Sequence, residues 1–181
     1  MVKKVGKRIL KATPTNQIEG KIQPQAIELE QAVLGALMID NESLSDAIDS
    51  LKTEYFYAPK HQKIFEAITN LFNNTKPVDI LTVSEELKRL DSLKDIGGLV
   101  YISELTNNVA SASNTEFHAR IIAEKFIKRS LINISRKISN DAFDDAVDIF
   151  DLLNNAESEL FTVTEGTLRK NYDKMSSLIK G

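Results

Sequence analysis

No cysteine occurs anywhere in this chain of 181 residues. Disulfides, thiolate metal sites and a cysteine nucleophile are thereby excluded, and the absence fits a cytosolic protein. Only two histidines are present, His61 and His118, too far apart in sequence to point to a His-rich metal site. No apolar run approaches the roughly 20 residues that a membrane-spanning helix needs. The phosphate-binding pattern G-x-x-x-x-G-K-[ST] is missing, and so is the dinucleotide pattern G-x-G-x-x-G. Asp and Glu are missing from residues 1–18. That opening stretch has no apolar core of the secretory type, which argues against a signal peptide but leaves an organelle transit peptide open. No period-2 strand pattern competes with the helical ones.

What is present reads as a soluble globular chain, 42% hydrophobic and 27% charged. Its length allows one domain, or one domain with an appendage. The formal net charge of -3 is unevenly spread. Residues 1–24 hold six basic side chains (Lys3, Lys4, Lys7, Arg8, Lys11 and Lys21) against Glu19 alone, a surplus of five. The remainder carries 17 basic and 25 acidic side chains, a deficit of eight. An acidic body is a poor dock for a nucleic-acid backbone. The basic stretch is expected to be a solvated, disordered tail, with phosphate contact as the alternative.

The ordered part is expected to begin at Pro24. In "AIELEQAVLGALMID", Ala26, Leu29, Val33, Ala36 and Leu37 recur at helical spacing with Leu34 and Met38 beside them. A helix apolar on more than one face belongs in the centre of a fold. Gly35 inside it costs about 1 kcal/mol against alanine, which close approach by a neighbouring helix would explain. Further helices follow, with capping boxes read at Ser43/Asp46, Thr82/Glu85 and Ser113/Glu116. Pro59 suits the first turn of the helix that carries Ile64, Phe65, Ile68, Leu71 and Phe72. From 113 a long helix runs, with Ile127, Leu131, Ile134 and Ile138 at heptad spacing. After a turn at 141–145, Val147, Phe150, Leu153, Ala156 and Leu160 share a face of the next helix. The expected fold is all-α: a disordered basic tail (1–24), a compact helical bundle (25–112) and a projecting antiparallel αα-hairpin (113–163). "TEGTLRKNY" then reads as a linker, and "DKMSSLIKG" as the opening of another amphipathic helix with Met175, Leu178 and Ile179 apolar.

Catalytic chemistry is not evident. Gly97–Gly98 in "DSLKDIGGLVYISEL" lacks the outer glycine, the lysine and the strand of a phosphate loop. It reads as a helix-to-helix turn that exploits glycine's left-handed backbone angles, with Leu99, Ile102 and Leu105 inside afterwards. His61 could act as a base, but no obvious carboxylate or nucleophile partner stands out, which favours a structural or capping role. His118 reads as a half-exposed packing residue. Glu28 and Glu30, two apart on a helix, face different ways and make a poor acid–base pair. "ASASN" reads as loop and cap.

Taken in order, the blocks resemble the N-terminal domain of bacterial replicative helicases of the DnaB type. Pro24, Glu28, Glu30, Val33, Leu34, Gly35 and Asp40 fill a P-x-x-x-E-x-E-x-x-V-L-G-x-x-x-x-D pattern. Phe56, Tyr57, His61, Ile64 and Phe65 fill F-Y-x-x-x-H-x-x-I-F. Pro77, Asp79 and Thr82 fill the next block, Gly97, Gly98, Tyr101 and Leu105 the one after, and "SASNTEFHARII" the last. The resemblance implies a collar domain without ATPase activity or cofactor of its own. In such proteins a linker helix and a RecA-like ATPase that uses ATP and Mg follow, here beyond Gly181. The ring is a hexamer that unwinds DNA 5′ to 3′. Its collar is a trimer of dimers built from paired hairpins, and it receives primase and, in some bacteria, a loader protein. DNA is engaged through the full ring; the setting is cytoplasmic, with no membrane partner. Met175, Leu178 and Ile179 would then begin the linker helix that packs on a neighbouring subunit. The alternatives are the helicase-binding C-terminal domain of a primase, which has a similar bundle and hairpin, and a non-enzymatic regulatory protein of DNA replication.

One expectation rests on the residues alone. Ile127, Leu131, Ile134, Ile138, Phe150, Leu153 and Leu160 exceed what one seam between two helices uses, so the surplus is expected at a subunit interface or packed back on the bundle. Tyr101, beside the Gly–Gly turn, is a candidate partner contact or a packing residue.

Overall fold

The computed structural model describes residues 21–109 and 114–178, with backbone alone at 41–43 and 166–178. Within them every regular element is helical: α1 (Ile27–Leu37), α2 (Asn41–Ser50), a single 3-10 turn (Thr53–Tyr55), α3 (Pro59–Asn73), α4 (Ile80–Arg89), α5 (Gly98–Asn107), α6 (Thr115–Ala142) and α7 (Ile149–Leu178). The all-α expectation holds.

α1 is central, as its two-sided apolarity requires. It packs against α2, α3, α5 and α6, and Val33, Leu34 and Leu37 are fully buried. Phe56, Ile64, Phe65 and Ile68 close the core from the α3 side. Gly35 lies where α5 crosses α1. A Cβ built there would stand 2.2 Å from the Leu105 carbonyl oxygen and 2.6 Å from Val109 Cγ2. The helix gives up propensity to let two backbones meet.

Several local expectations are corrected. α2 starts at Asn41, which places Ser43 inside the first turn, after the N-cap position. The box of α4 is Asp79/Thr82 in place of Thr82/Glu85. Asp79 Oδ1 accepts from the Leu81 and Thr82 amides, each at 2.9 Å, and the Thr82 hydroxyl accepts from the Asp79 amide. An aspartate directly before the first helical residue outcompetes a threonine already inside the turn. α6 is preceded by Asn114 at the N-cap, while Ser113 lies outside the described residues. α4 ends at Arg89, and the chain then turns through left-handed angles at Asp91, Gly97 and Gly98 (φ +51°, +103° and +71°). The glycines thus form the expected turn, but Leu99 is 47% exposed and Ile96 is buried instead. The first turn of α5 projects beyond the bundle, so its apolar residues find no cover.

Two boundaries shift as well. α6 does not belong wholly to the hairpin: Ala119 and Ile122 are buried in the bundle core, and Ala123 and Phe126 pack on it. The bundle therefore extends past 112 to about Arg129. Residues 164–172 are no break either, since α7 runs through them to Leu178. One glycine and no proline cannot stop an established helix, because propagation outweighs a single unfavourable residue. Met175 and Leu178 lie in that helix with side chains outside the description, and Ile179 lies outside the described residues.

The Asp79 cap yields a test. The Thr82 amide, with burial opposing it and the Thr82 hydroxyl and Leu81 amide adding to it, holds the Asp79 carboxyl below its ordinary value. A depressed folded-state pKa adds stability that is complete above the unfolded value and is lost as pH falls through the folded one. Asp79→Ala should cost about 1 kcal/mol at neutral pH. In urea melts the deficit relative to the unmodified chain should shrink below about pH 4 as the carboxylate protonates.

Candidate subunit interface

α6 is one 28-residue rod, about 42 Å at the usual rise. Its first half lies on α1 and α2, and its second half carries α7. The changeover is marked by Arg129. This side chain donates from Nη1 to the Pro24 carbonyl at 2.8 Å and from Nη2 to the Tyr55 carbonyl at 2.7 Å. Burial pulls its guanidinium pKa down, and the nearby Glu30 charge opposes that. Arg129 thus fastens the lead-in segment and the 3-10 turn to the rod at the base of the hairpin.

Beyond Arg129 the two helices run antiparallel, and Lys137 pairs with Glu159 across them. The seam is narrow. On α6, Ile134 is buried and Ile138 half-covered, while Ile127, also half-covered, precedes Arg129 on the bundle side. On α7 the half-covered positions are Leu152, Ala156, Glu159 and Val163, spaced 4, 3 and 4. The apolar stripe read from the sequence is rotated off that seam. Phe150 is 71% exposed, Leu153 58%, Leu160 42% and Phe161 59%. Leu131 on α6 is also exposed. Leu153, Ala156, Leu160 and Phe161 line one shallow groove with Glu157 and Thr164. Of the seven predicted interface residues, Ile134 is buried, Ile127 and Ile138 are half-buried, and Leu131, Phe150, Leu153 and Leu160 are exposed. They do not pack back on the bundle.

Fully burying one such side chain contributes about 1.5–3 kcal/mol; these four retain roughly half of their surface to bury, about 3–6 kcal/mol per subunit. Two copies face to face double that. The result exceeds the lower part of the 4–15 kcal/mol association cost, enough for a stable contact between chains.

A second constellation lies within the bundle. Glu30 is 1% exposed and His61 fully buried. Glu30 Oε1 accepts from the Tyr57 amide at 2.7 Å, and Oε2 accepts from the Ala58 amide at 3.3 Å and from His61 Nδ1 at 2.6 Å. His61 Nε2 then meets the Tyr101 hydroxyl at 2.7 Å, and Gln31 Nε2 donates to that hydroxyl at 3.2 Å. His61 therefore does have a carboxylate partner, 31 residues away. The sequence held a signal for it: Glu30 shares α1's i, i+3, i+4, i+7 stripe with Val33, Leu34 and Leu37, and a carboxylate on a buried stripe demands donors. The cluster is sealed and has no nucleophile beside it, so its work is to hold α1, α3 and α5 together. Tyr101 presents Lys60 Nζ 3.7 Å above its ring while its hydroxyl points inward, which favours packing over partner contact. His118 is half-exposed, as read. Among the described residues no group of three or more His, Asp or Glu is placed to hold a metal, and no helix is long and apolar enough to cross a membrane.

Comparison with known proteins places these features in context. The family model of the DnaB-like helicase N terminal domain matches residues 22–124. The replicative DNA helicase DnaB of Rhodothermus marinus is 46% identical over 91% of this chain and 17% of its own length. That of Treponema pallidum is 36% identical over 92% of this chain and 38% of its own length. The chain thus spans well under half of these curated relatives. The crystal structure of the N-terminal domain of DnaB helicase from Mycobacterium tuberculosis superposes with a TM-score of 0.74 at 30% identity, over 78% of this chain and 99% of that one. A solved structure of a DnaB-like replicative helicase and its interactions with primase superposes at 0.62 and 27% identity, over 84% of this chain and 35% of that one.

Proposed function

Because the chain belongs to the DnaB-like helicase N terminal domain family, we propose that it is the assembly and partner-docking domain of a ring-shaped replicative DNA helicase. The match to the helicase domain decides against the reading as a primase C-terminal domain. In this account the chain itself performs no catalysis and binds no cofactor. ATP and Mg serve a RecA-like domain that follows it, and the full ring unwinds DNA 5′ to 3′ in the bacterial cytoplasm. The collar is a trimer of dimers formed by hairpins. Primase docks on it, by likeness to the helicase solved for its interactions with primase; a loader protein is a further partner in some bacteria. Met175, Leu178 and Ile179 dock on the neighbouring subunit as part of the helix leading out of this domain.

The observation that carries the reading is the exposed apolar face of α7, Phe150, Leu153, Leu160 and Phe161, turned away from the seam with α6. Replacing Leu153 and Leu160 with glutamate should weaken self-association by about two orders of magnitude, from the lost transfer of two leucines. Helicity should persist, since neither side chain enters the bundle core. Sedimentation velocity reads the outcome; a double variant with the mass of the unmodified assembly would place the interface elsewhere.

A further inference from the structure

We propose that the basic N-terminal segment, residues 1–18, docks on the acidic, apolar tip of the hairpin of its own chain. The tip exposes Phe143 (79%), Ile149 (57%) and Phe150 to water, with Val147 at its edge. Asp141, Asp144, Asp145, Asp148 and Asp151 frame them. Two of these carboxylates serve the local turns: Asp144 accepts from the Ala146 amide, and Asp148 accepts from the Phe150 and Asp151 amides. Neither bond neutralises charge. From 138 to 156 the chain carries five acidic residues and no Lys or Arg, and the nearest cation in sequence, Lys137, is committed to Glu159. The surface is therefore both unpartnered and strongly of one sign.

The occupant is defined by complementarity and by reach. Residues 1–18 carry Lys3, Lys4, Lys7, Arg8 and Lys11 with no acidic residue, interleaved with Val2, Val5, Ile9 and Leu10. Five cations and four aliphatic side chains there match the five carboxylates and four apolar side chains of the tip in number. The first described residues fix the starting point: Lys21, Ile22 and Gln23 line one groove with Leu131, Ile132, Ser135 and Arg136 of α6. From Ser135 to the end of α6 at Ala142 is about 10 Å along the axis. Even as a random coil, a segment of 18 residues spans about 23 Å root-mean-square. Tethering so close to its target gives the segment a millimolar effective concentration, so a contact too weak to hold two molecules together is populated within one. The inference does not depend on the helicase reading, although Phe150 belongs both to the tip and to the proposed subunit interface.

The absence of cysteine makes the test direct, because Val5→Cys places a single nitroxide label in the full chain. Paramagnetic broadening of amide signals should be about threefold stronger at 143–151 than in α4, as expected for a tethered, partly populated contact. It should fall to the α4 level at about 0.5 M NaCl, where screening is nearly complete within a few ångströms. Replacing Asp141, Asp144, Asp145 and Asp151 with asparagine should abolish it while Asp148 keeps its cap; the salt titration covers the case in which that variant fails to fold. Equal broadening at tip and α4, or broadening at the tip that survives salt, would overturn the proposal. So would broadening of full strength when the label and the isotope reside on different molecules, since the contact would then join two chains.

Discussion

Glu30→Ala is expected to lower the unfolding free energy by about 3–5 kcal/mol, the range for removing one partner of a buried hydrogen-bonded pair. The side chain of Glu30 accepts from two backbone amides and from the imidazole of the fully buried His61. Ala58, at the N-cap of α3, has no side chain able to accept a bond. Glu30 supplies that acceptor from α1, through space, and adds negative charge at the positive end of α3. Its loss uncaps α3 and frees His61 and Tyr101 together. Glu30→Gln retains an acceptor oxygen but turns an amide group toward a donor, and should cost less, about 1–3 kcal/mol. Urea unfolding at one fixed protein concentration checks both, since association also contributes to apparent stability. Equal, small losses for the two variants would mean that water reaches the site.

Gly35→Ala is expected to cost about 2–3 kcal/mol, against a helix-propensity gain of about 1 kcal/mol that the same change gives on an exposed helix. The sign is decided by what the new methyl group meets. A side-chain atom can rotate away, as Val109 Cγ2 would, but the Leu105 carbonyl is backbone in the last part of α5. α5 must move outward as a unit, and its contacts with α1 loosen along the whole crossing. Larger residues at 35 should leave no folded bundle. Circular dichroism melts of the alanine variant read the effect; a stability equal to or above that of the unmodified chain would contradict the close crossing.

These two positions show what the sequence could and could not say. Gly35 was legible: a lone glycine in a strongly apolar helix implies a crossing, though not its partner. The Glu30–His61 contact was hidden because a pair 31 residues apart leaves no periodic trace. Only the carboxylate's place on a buried stripe hinted at it. The helices themselves were readable wherever one face was apolar, since burial of that face drives them. Their ends were less so. Asp79 and Thr82 sit three apart, as do Thr82 and Glu85, and the sequence alone does not say which residue precedes the first helical turn. The hairpin was visible as heptad spacing, but its rotation was not. The stripe Phe150, Leu153, Leu160 is the more hydrophobic face of α7, yet the seam uses Leu152, Ala156, Glu159 and Val163. A single chain would bury its best face; a chain that meets others keeps that face outside. That inversion is the physical content of the assembly reading.

The most direct test of it is the mass of the unmodified chain in solution. Sedimentation equilibrium across a range of concentrations should give a mass that rises from that of the 20.3 kDa chain to at least twice that value. Leu153→Glu with Leu160→Glu should hold it at the single-chain value. A mass of one chain at every concentration up to the high micromolar range would contradict the account.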